Sequence, residues 1–411
     1  MEKEISVGLL GLGTVGSGVI KIIKDHQEVL VHQLGRGVKV EKVLVRNLDK
    51  ARQIEVDHEL LTTNSEDVVS NPNIDVVVEV MGGVEDARDY ILKALQNKKH
   101  VVTANKDLIA LYGPELEKVA QENGCDLFYE ASVGGGTPLL PGLTDGLVSD
   151  RIHQVMGIVN GTTNYILTKM SEEGQSYEEA LQKAQELGFA EADPTADVDG
   201  LDAARKMVIL ARLSFLTNVE LDDVEVEGIS NLDLTDIEYG KKLDLTMKLI
   251  GFANLTNGNH IEVSVQPTFL SKYHPLAAVN DEYNAVYVNG EAVGETMFYG
   301  PGAGSLPTAT AVMSDVVAVI KNMLLGVNGK QYVKLRHNKQ ITPADKRVSQ
   351  FYLRLHVKDE LGVFASISKL FNQLGISFER ILQTPGKKGF ADIIVVTHKT
   401  SLQNFRDALT K

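Results

Sequence analysis

The stretch best suited to chemistry runs from Gly188 to Lys206 and reads GFAEADPTADVDGLDAARK. It places five acidic residues ahead of Lys206, and the residues that follow, MVILARLSFL, are mostly apolar around a helix. Burial in such a helix lowers the pKa of a lysine, whereas a nearby carboxylate raises it. The sequence therefore indicates an ammonium group tuned to give and take a proton.

Asp199 and Asp202 have the spacing of a helix cap. We expect the helix to begin after Asp199, whose side chain would accept the first free N–H groups, with Asp202 completing a capping box. Asp202 also precedes Lys206 by one turn, as in an ordinary surface ion pair. That simpler interpretation explains neither the apolar surroundings of Lys206 nor the presence of Glu191 and Asp197 just before it.

A glycine-rich turn follows the first predicted strand. The run ISVGLL is typical of a buried parallel strand, and a helix follows the turn at once. The pattern G-x-G-x-x-G in this context predicts a dinucleotide site, because glycines let the backbone approach the pyrophosphate and the helix N-terminus donates N–H groups. The predicted cofactor-binding residues of the turn are Gly11, Leu12, Gly13, Thr14, Val15 and Gly16.

Two basic residues follow later strands of the same predicted sheet. The strand VEKVLVRN brings Arg46 to the position where an NAD site usually has a carboxylate. An arginine suits the 2′-phosphate, so we expect NADP to be preferred, with NAD still usable. Lys106 follows HVVTAN at the carboxyl end of a strand, where open α/β sheets bind ligands. A solvated loop lysine is an equally good interpretation of Lys106 alone.

Three consecutive glycines, residues 134–136, follow a strand that Cys125 opens. Glycines leave carbonyl oxygens free to turn toward a ligand or a hard cation, and Glu130 could add an oxygen of its own. A flexible turn between two domains explains the glycines as well. From the residues alone we prefer the turn.

The composition is that of a soluble globular enzyme, with 43% hydrophobic and 23% charged residues. A net charge of −14 argues against binding to nucleic acid or anionic membranes. We find no apolar run near the roughly 20 residues that span a bilayer, and no cleavable signal before the first strand. The single cysteine allows no internal disulfide. We therefore expect a cytoplasmic protein.

Five segments together carry a resemblance to a known family: GLGTVG, TANKDL, YEASVGGGTP, NGTTNYIL and GFAEADPTADVDGLDAARK. Through roughly residues 1 to 325 the sequence closely resembles homoserine dehydrogenase. The tail resembles an ACT domain, a module that senses amino acids. The resemblance implies NAD(P)-dependent interconversion of L-homoserine and L-aspartate 4-semialdehyde, on the route to threonine and methionine.

The resemblance also implies roles for individual residues. Lys206 matches the proton-transferring lysine, and Lys106 the second active-site lysine, between substrate and nicotinamide. Glu191 and Asp202 match substrate-binding carboxylates, and Asp197 is added to them for its charge and position. Backbone contacts to cofactor or substrate are implied at Gly188 and Gly302. A sodium ion near the nicotinamide is implied at Glu130, Val133, Gly135 and Thr137, mostly through main-chain oxygens.

The expected fold class is α/β with two further α+β parts. We predict a Rossmann-type domain over residues 1–133, to which a helix around residues 305–325 returns, and a catalytic and dimerisation domain over residues 134–304. A linker over residues 326–348 leads to an ACT-like module at residues 349–411. In that module the usual last strand is missing, and Gly362 lies where ACT domains approach an amino acid. The tail is therefore either a site for threonine or an assembly device in a homodimer or homotetramer.

Two alternative functions remain open at this point. An acylating aspartate-semialdehyde dehydrogenase would need a nucleophilic thiol, and Cys125, the single thiol, is predicted to be buried. A non-catalytic sensor of NADP and amino acids would use the ACT-like tail and Arg46 without turnover.

Overall fold

The N-terminal part of the chain forms a parallel sheet of six strands. The computed structural model describes residues 4–52, 54–256, 260–330, 334–335, 338–386 and 389–411. The strands of the first sheet are β1 (Ile5–Leu10), β2 (Val38–Leu44), β3 (Leu61–Thr62), β4 (Val76–Glu79), β5 (His100–Thr103) and β6 (Leu127–Phe128). Their order is β3-β2-β1-β4-β5-β6 and every pair is parallel. Helices cover both faces, which is why the strands are short apolar runs.

The helices of this part connect the parallel strands. They are α1 (Thr14–Asp25), α2 (Gln27–Leu34), α3 (Glu66–Val69), α4 (Glu85–Gln96) and α5 (Lys106–Glu122). The chain order reverses between β1 and β4, and sheets of this kind bind ligands in the crevice outside the carboxyl ends of the strands at that point. The glycine-rich turn between β1 and α1 lies at this crevice. The predicted Rossmann-type fold is confirmed.

A second sheet forms the middle of the chain. Its strands are β7 (Ile152–Ile158), β8 (Glu225–Val226), β9 (Leu245–Thr256), β10 (His260–Ser271), β11 (Tyr283–Gly290) and β12 (Gly294–Pro301). The order is β12-β11-β7-β9-β10-β8, and all pairs are antiparallel except β8 with β10. Strands β11 and β12 form a hairpin whose last pair is Gly290 with Gly294, so the turn lies between these two glycines.

Five helices accompany the second sheet. They are α6 (Gly161–Glu173), α7 (Tyr177–Glu186), α8 (Thr195–Val198), α9 (Leu201–Phe215) and α10 (Leu234–Lys242). Helix α9 packs on β7, β9 and β10, and most of its residues are buried. It is therefore a core helix, as its apolar sequence indicates.

The predicted cap of the helix that carries Lys206 is wrong. Helix α9 begins at Leu201, its N-cap is Gly200 in the left-handed conformation, and no side chain caps it. Asp199 instead accepts a hydrogen bond from Ser230 at 3.3 Å. The polar segment at residues 160–164 forms the cap and first turn of α6, with Asn160 as the cap.

A long helix, α11 (Ser305–Leu325), returns to the first domain and packs against α1. The hydroxyl of Ser305 donates to the carbonyl of Thr14 at 2.7 Å. By length and composition alone α11 is apolar enough to cross a membrane, but a buried core helix passes the same test, and more than half of its apolar window is buried. Its buried residues, among them Val312, Val316 and Ile320, share one core with β1 and α1, and this packing explains their apolar character.

The C-terminal module is a small sheet covered by two helices. Its elements are β13 (Val348–Ser349), β14 (Tyr352–Lys358), α12 (Val363–Gln373), β15 (Phe378–Pro385), β16 (Phe390–Thr397), β17 (Thr400–Ser401) and α13 (Leu402–Leu409). The order β14-β16-β15 is antiparallel, and β13 pairs with β17. Within the predicted linker, residues 331–333 and 336–337 lie outside the described residues.

Candidate active site

Lys206 projects from α9 into a pocket of polar atoms. Its side chain is 12% exposed, and its ammonium group donates to the carbonyl of Val159 at 2.6 Å and to Oδ2 of Asp202 at 2.7 Å. Val159 directly follows β7, so the sheet and the helix both fix the lysine. An ammonium group has three N–H bonds, and the third remains for a reacting group.

Asp202 is the centre of the site. Its Oδ1 lies 3.1 Å from Nζ of Lys106, whereas its Oδ2 accepts from Lys206 and from the amide of Asn160, the latter at 2.9 Å. Burial alone would raise the pKa of this carboxyl, but the two lysines outweigh it and hold the pKa below its usual range. Asp202 is therefore a carboxylate that joins two cationic side chains.

Asn160 brings a second carboxylate to the same place. Its amide donates to Oδ1 of Asp197 at 2.7 Å, and the hydroxyl of Thr162 lies 3.2 Å from Oδ2 of Asp197. Burial raises the pKa of Asp197, against the lowering effect of the Asn160 hydrogen bond. The site thus combines two acidic side chains from α8 and α9 with the N-terminus of α6.

Lys106 is the first residue of α5, and the hydrogen-bonded polar side chains just before it fix the start of this helix. Asn105 caps α5 by accepting from the N–H of Leu108 at 3.1 Å, and its amide donates to the carbonyl of Gly83 at 2.6 Å. The hydroxyl of Thr103 donates to Glu79 at 2.6 Å. Burial lowers the pKa of Lys106, but Asp202 and Asp107 raise it, and the net shift is upward. Lys106 is therefore held as a cation at the end of β5.

Other predicted substrate-binding residues are not part of this cluster. Glu191 is exposed, and within the described chain its carboxylate makes no hydrogen bond, although its carbonyl accepts from Gln185. Gly188 adopts a left-handed conformation at the end of the turn after α7, with open space around it. The structure therefore joins Lys206, Lys106, Asp202 and Asp197, and leaves Glu191 on the adjacent loop.

The glycine-rich turn has the shape that a dinucleotide needs. Gly11 has a φ of 109°, and a Cβ there would lie 2.8 Å from the Cα of Met81. A Cβ at Gly16 would lie 2.4 Å from the carbonyl oxygen of Gly11. Gly13 caps α1 and faces open space, so a phosphate group can approach its backbone. These residues fit a pyrophosphate.

The remaining nucleotide residues surround this turn. Leu12 is half-buried, whereas Thr14 and Val15 open α1. Arg46 is exposed two residues beyond β2, while Arg52 donates to the carbonyls of its own loop. Of Arg46 and Arg52, Arg46 is therefore the residue whose guanidinium group is open to a ligand.

A second glycine loop meets the segment after β12. A Cβ at Gly135 would lie 2.4 Å from the carbonyl oxygen of Gly302, so these two segments of the chain touch through their backbones. The hydroxyl of Thr137 is buried without a hydrogen-bond partner in the described chain. Both carboxylate oxygens of Glu130 accept N–H groups, from Leu139 at 2.6 Å and Leu140 at 2.9 Å.

These contacts decide which oxygens could hold a cation. Each carboxylate oxygen of Glu130 accepts one N–H group and keeps a further lone pair, so Glu130 stays a candidate oxygen ligand. Burial raises the pKa of Glu130 to about 7, against the lowering effect of its two N–H donors. No cluster of three or more metal-binding side chains occurs among the described residues. Main-chain oxygens of residues 130–135 with the orphaned hydroxyl of Thr137 fit a hard monovalent cation.

Sequence reasoning missed Asn160, Asn105 and Glu79. Their partners lie 22 to 42 residues away in the chain, so no local spacing connects them. The one sequence signal for these residues is that they are polar and lie at or just after the carboxyl ends of apolar strands, where such sheets bind ligands.

The fold and the nucleotide-binding turn are those of an NAD(P)-dependent oxidoreductase. Three family profiles match the chain: homoserine dehydrogenase at residues 138–317, its NAD-binding domain at residues 11–130, and the ACT domain at residues 351–411. The chain belongs to the homoserine dehydrogenase family.

Individual relatives agree with this assignment. The homoserine dehydrogenase of Bacillus subtilis is 59% identical, with 99% of this chain and 94% of the relative covered. A crystal structure from Thiobacillus denitrificans has a TM-score of 0.92 at 40% identity, covering 99% of this chain and 94% of that one. A hyperthermophilic archaeal homoserine dehydrogenase in complex with NADPH has a TM-score of 0.66 at 27% identity, with 81% of this chain and 100% of that chain covered.

Proposed function

We propose that Lys206 carries the proton in the interconversion of L-homoserine and L-aspartate 4-semialdehyde. A nicotinamide cofactor bound at the crevice of the first sheet would supply the hydride chemistry at the carbinol carbon. On oxidation the neutral amine of Lys206, formed by loss of one proton to solvent, would accept the hydroxyl proton, and in the reverse direction its ammonium donates a proton to the nascent alkoxide.

The observation that carries this proposal is the pair of lysines that share Asp202. Because Asp202 binds both Nζ atoms, it fixes the distance between them and leaves Lys206 one N–H for the substrate oxygen. Lys106, at the end of β5, lies on the side of the nucleotide domain. Such positioning supplies much of the rate in a two-substrate reaction.

The substrate ammonium group needs acidic partners, and we assign it to Glu191, Asp197 and Asp202. Support for Asp197 comes from its place beside Asp202, where Asn160 and Thr162 orient its carboxylate. Glu191 is assigned through the family resemblance, and its exposed carboxylate is available to an ammonium group. Gly188 and Gly302 are assigned to backbone contacts with substrate or cofactor.

NADP is the proposed preferred cofactor, with NAD also used. The exposed Arg46 beyond β2 supports this preference, because a guanidinium group pairs well with a phosphate. We expect Arg46→Ala to weaken NADP binding about tenfold or more and to leave NAD binding nearly unchanged, as measured by fluorescence titration. Equal weakening of both cofactors would remove the 2′-phosphate argument.

A sodium ion is proposed at the loop that contains Gly135. Main-chain oxygens of Glu130, Val133 and Gly135 and the hydroxyl of Thr137 would hold it. The orphaned hydroxyl of Thr137 supports this assignment. When bound, the ion would fix the loop that touches Gly302.

The ACT domain supports binding of an amino-acid effector, and we propose L-threonine. Gly362 caps α12 in a left-handed conformation with open space beside it, which suits a ligand at the helix N-terminus. We also propose a homodimer or homotetramer in the cytoplasm. The outer strand β12 carries Met297 and Tyr299 exposed, which supports assembly through this edge.

The direct test is an absorbance assay of NADP and NAD reduction with L-homoserine, with and without L-threonine. We expect turnover with L-homoserine, faster with NADP, and inhibition by threonine. Cofactor binding without turnover would favour the non-catalytic sensor instead.

The acylating alternative is disfavoured by Cys125. This thiol is 3% exposed, and burial raises its pKa to about 11, so it is a poor nucleophile near neutral pH. Turnover should therefore survive Cys125→Ser, and complete loss of activity in a folded variant would revive the thioester mechanism.

A further inference from the structure

The amide of Asn160 lies between the two carboxylates of the site and is itself buried, with 5% of the residue exposed. One N–H contacts Asp197 at 2.7 Å and the other contacts Asp202 at 2.9 Å. Its oxygen faces the opposite way and accepts from the N–H and the hydroxyl of Thr163, both at 2.9 Å. All the strong hydrogen-bonding groups of this side chain are therefore used.

This arrangement offsets the repulsion between two neighbouring carboxylates. Two carboxylates that meet in a shielded site repel each other, and Asp202 contributes to the raised pKa of Asp197. Of the two carboxylates, Asp202 is the one that Lys206 and Lys106 hydrogen-bond or pair with in the described contacts. In the part of the chain that the structure describes, Asn160 is the side chain that hydrogen-bonds both carboxylates.

We propose that Asn160 is a positioning residue for proton transfer. By donating to both carboxylates, it holds Asp202 in the orientation that receives Lys206, and it holds Asp197 where a substrate ammonium can meet it. This inference rests on the proposed function, in which Lys206 carries the proton. Asn160 acts through these side chains and need not touch the reacting atoms.

Asn160 also caps α6, and different substitutions separate this structural role from the proposed positioning role. In Asn160→Asp, a carboxylate oxygen can still accept from the N–H of Thr163, but both donors are lost and a negative charge is added. Asn160→Ser keeps a capping oxygen and loses the bridge without adding charge. Asn160→Ala loses cap and bridge together. Ser176→Ala is the matched control, because Ser176 caps α7 away from the site.

The experiment measures kcat, KM for L-homoserine, the dissociation constant for NADPH and the melting temperature of all four variants. We expect Asn160→Asp to lower kcat/KM about 100-fold or more and Asn160→Ser about tenfold, with NADPH binding unchanged. Melting should fall more in Asn160→Ala, which loses cap and bridge, and in Asn160→Asp, which adds a repelling charge, than in Asn160→Ser. Ser176→Ala should lose stability only.

The pH profile of kcat provides a readout that a cap does not affect. The groups that face position 160 are Asp197 and Asp202, with Lys206 and Lys106 beyond them and Asp107 next to Lys106. A new carboxylate raises the pKa of each of these groups, so the profile of Asn160→Asp should shift to higher pH.

Two results would overturn the inference. One is Asn160→Asp with kcat/KM within roughly threefold of wild type and an unshifted profile. The other is activity that follows the melting temperature across all variants, which would leave Asn160 as a cap alone. A wild-type protein that does not oxidise L-homoserine would instead refute the proposed function.

Discussion

At the scale of single residues, the site depends on a buried charge that is fully paired. Asp202 is buried, and the cost of removing a carboxylate from water is offset by two ammonium groups and one amide. Removing one partner of such a group leaves the remaining charge uncompensated. Stability and catalysis are therefore both sensitive to changes here.

Lys206→Ala tests the proton-transfer role. We expect kcat to fall about 100-fold or more, the usual scale for losing a general acid or base, with NADPH binding nearly intact. Asp202 would keep Lys106 and Asn160 as partners, so the fold should persist. Lys183→Ala, an exposed ion-paired lysine on α7, is the control and should turn over normally. Near-normal turnover of Lys206→Ala would exclude it as the proton carrier.

Lys248 predicts a pH dependence of stability. It is 1% exposed, donates to the carbonyl of Val279 at 2.5 Å, and burial lowers its pKa to about 8. In the unfolded chain a lysine titrates near 10.4. Between these values the unfolded state binds more protons, so the contribution of Lys248 to stability rises with pH.

The measurement is the free energy of unfolding of wild type and Lys248→Met at several pH values. We expect the wild type to gain stability relative to the variant between about pH 8 and pH 10, by up to roughly 1.4 kcal/mol per pH unit. Titration of other groups cancels in the difference. A difference that stays constant with pH would show that Lys248 stays protonated in the folded state over this range, so that burial does not lower its pKa.

At the scale of elements, two glycine-containing loops join the nucleotide domain to the second sheet. The N–H of Gly136 donates to the carbonyl of Pro301 at 3.1 Å, and Gly135 contacts Gly302. Helix α11 begins just after this contact and returns to α1. The loops therefore link the cofactor crevice to the sheet beneath Lys206.

Gly135→Ala should disrupt this junction more than Gly134→Ala. Both glycines have positive φ, which costs an alanine about 1–2 kcal/mol. A Cβ at Gly135 would also clash with the backbone of Gly302, whereas at Gly134 the nearest atom is 3.5 Å away. We expect a larger loss of melting temperature and weaker NADPH binding in Gly135→Ala. Equal losses in the two variants would mean that the close approach is unimportant.

Much of the fold was predictable because its signals are local. The strand Ile5–Leu10 and the glycine pattern after it follow from neighbouring residues, as does α9 from its apolar sequence. The cap of α9 was not predictable, because Ser230 competes for Asp199 and the next residue, Gly200, can take the left-handed conformation. The bridge made by Asn160 depends on contacts between distant segments, which spacing does not encode.

At the scale of the whole molecule, the ACT module rests on α10. Arg354 donates to Asp236 at 2.7 Å and to Asp233 at 2.8 Å, and Tyr352 donates to Asp236 at 2.7 Å. The loop before α10 hydrogen-bonds α8, through the N–H of Ile229 and the carbonyl of Val198 at 2.8 Å. Val198 follows Asp197 directly, so a continuous set of contacts connects the effector module with the site.

Asp236→Ala should loosen the module from the rest of the chain. Because Tyr352 and Arg354 both lose a partner, we expect amide hydrogen exchange in β14 to rise severalfold while β1 is unchanged. Mass spectrometry of the full-length protein measures both segments. Lys21→Met removes an exposed ion pair on α1 and should have no such effect. Unchanged exchange in β14 would show that other contacts hold the module.

The inert thiol of Cys125 has a practical consequence for fluorescence experiments on the ACT module. A thiol-reactive dye should leave the native chain unlabelled, so no background cysteine has to be removed. A cysteine introduced at Leu361, which is fully exposed in the turn before α12, would then carry the dye alone. Fluorescence from that position would report in real time whether added L-threonine, the proposed effector, changes the surroundings of the ACT module.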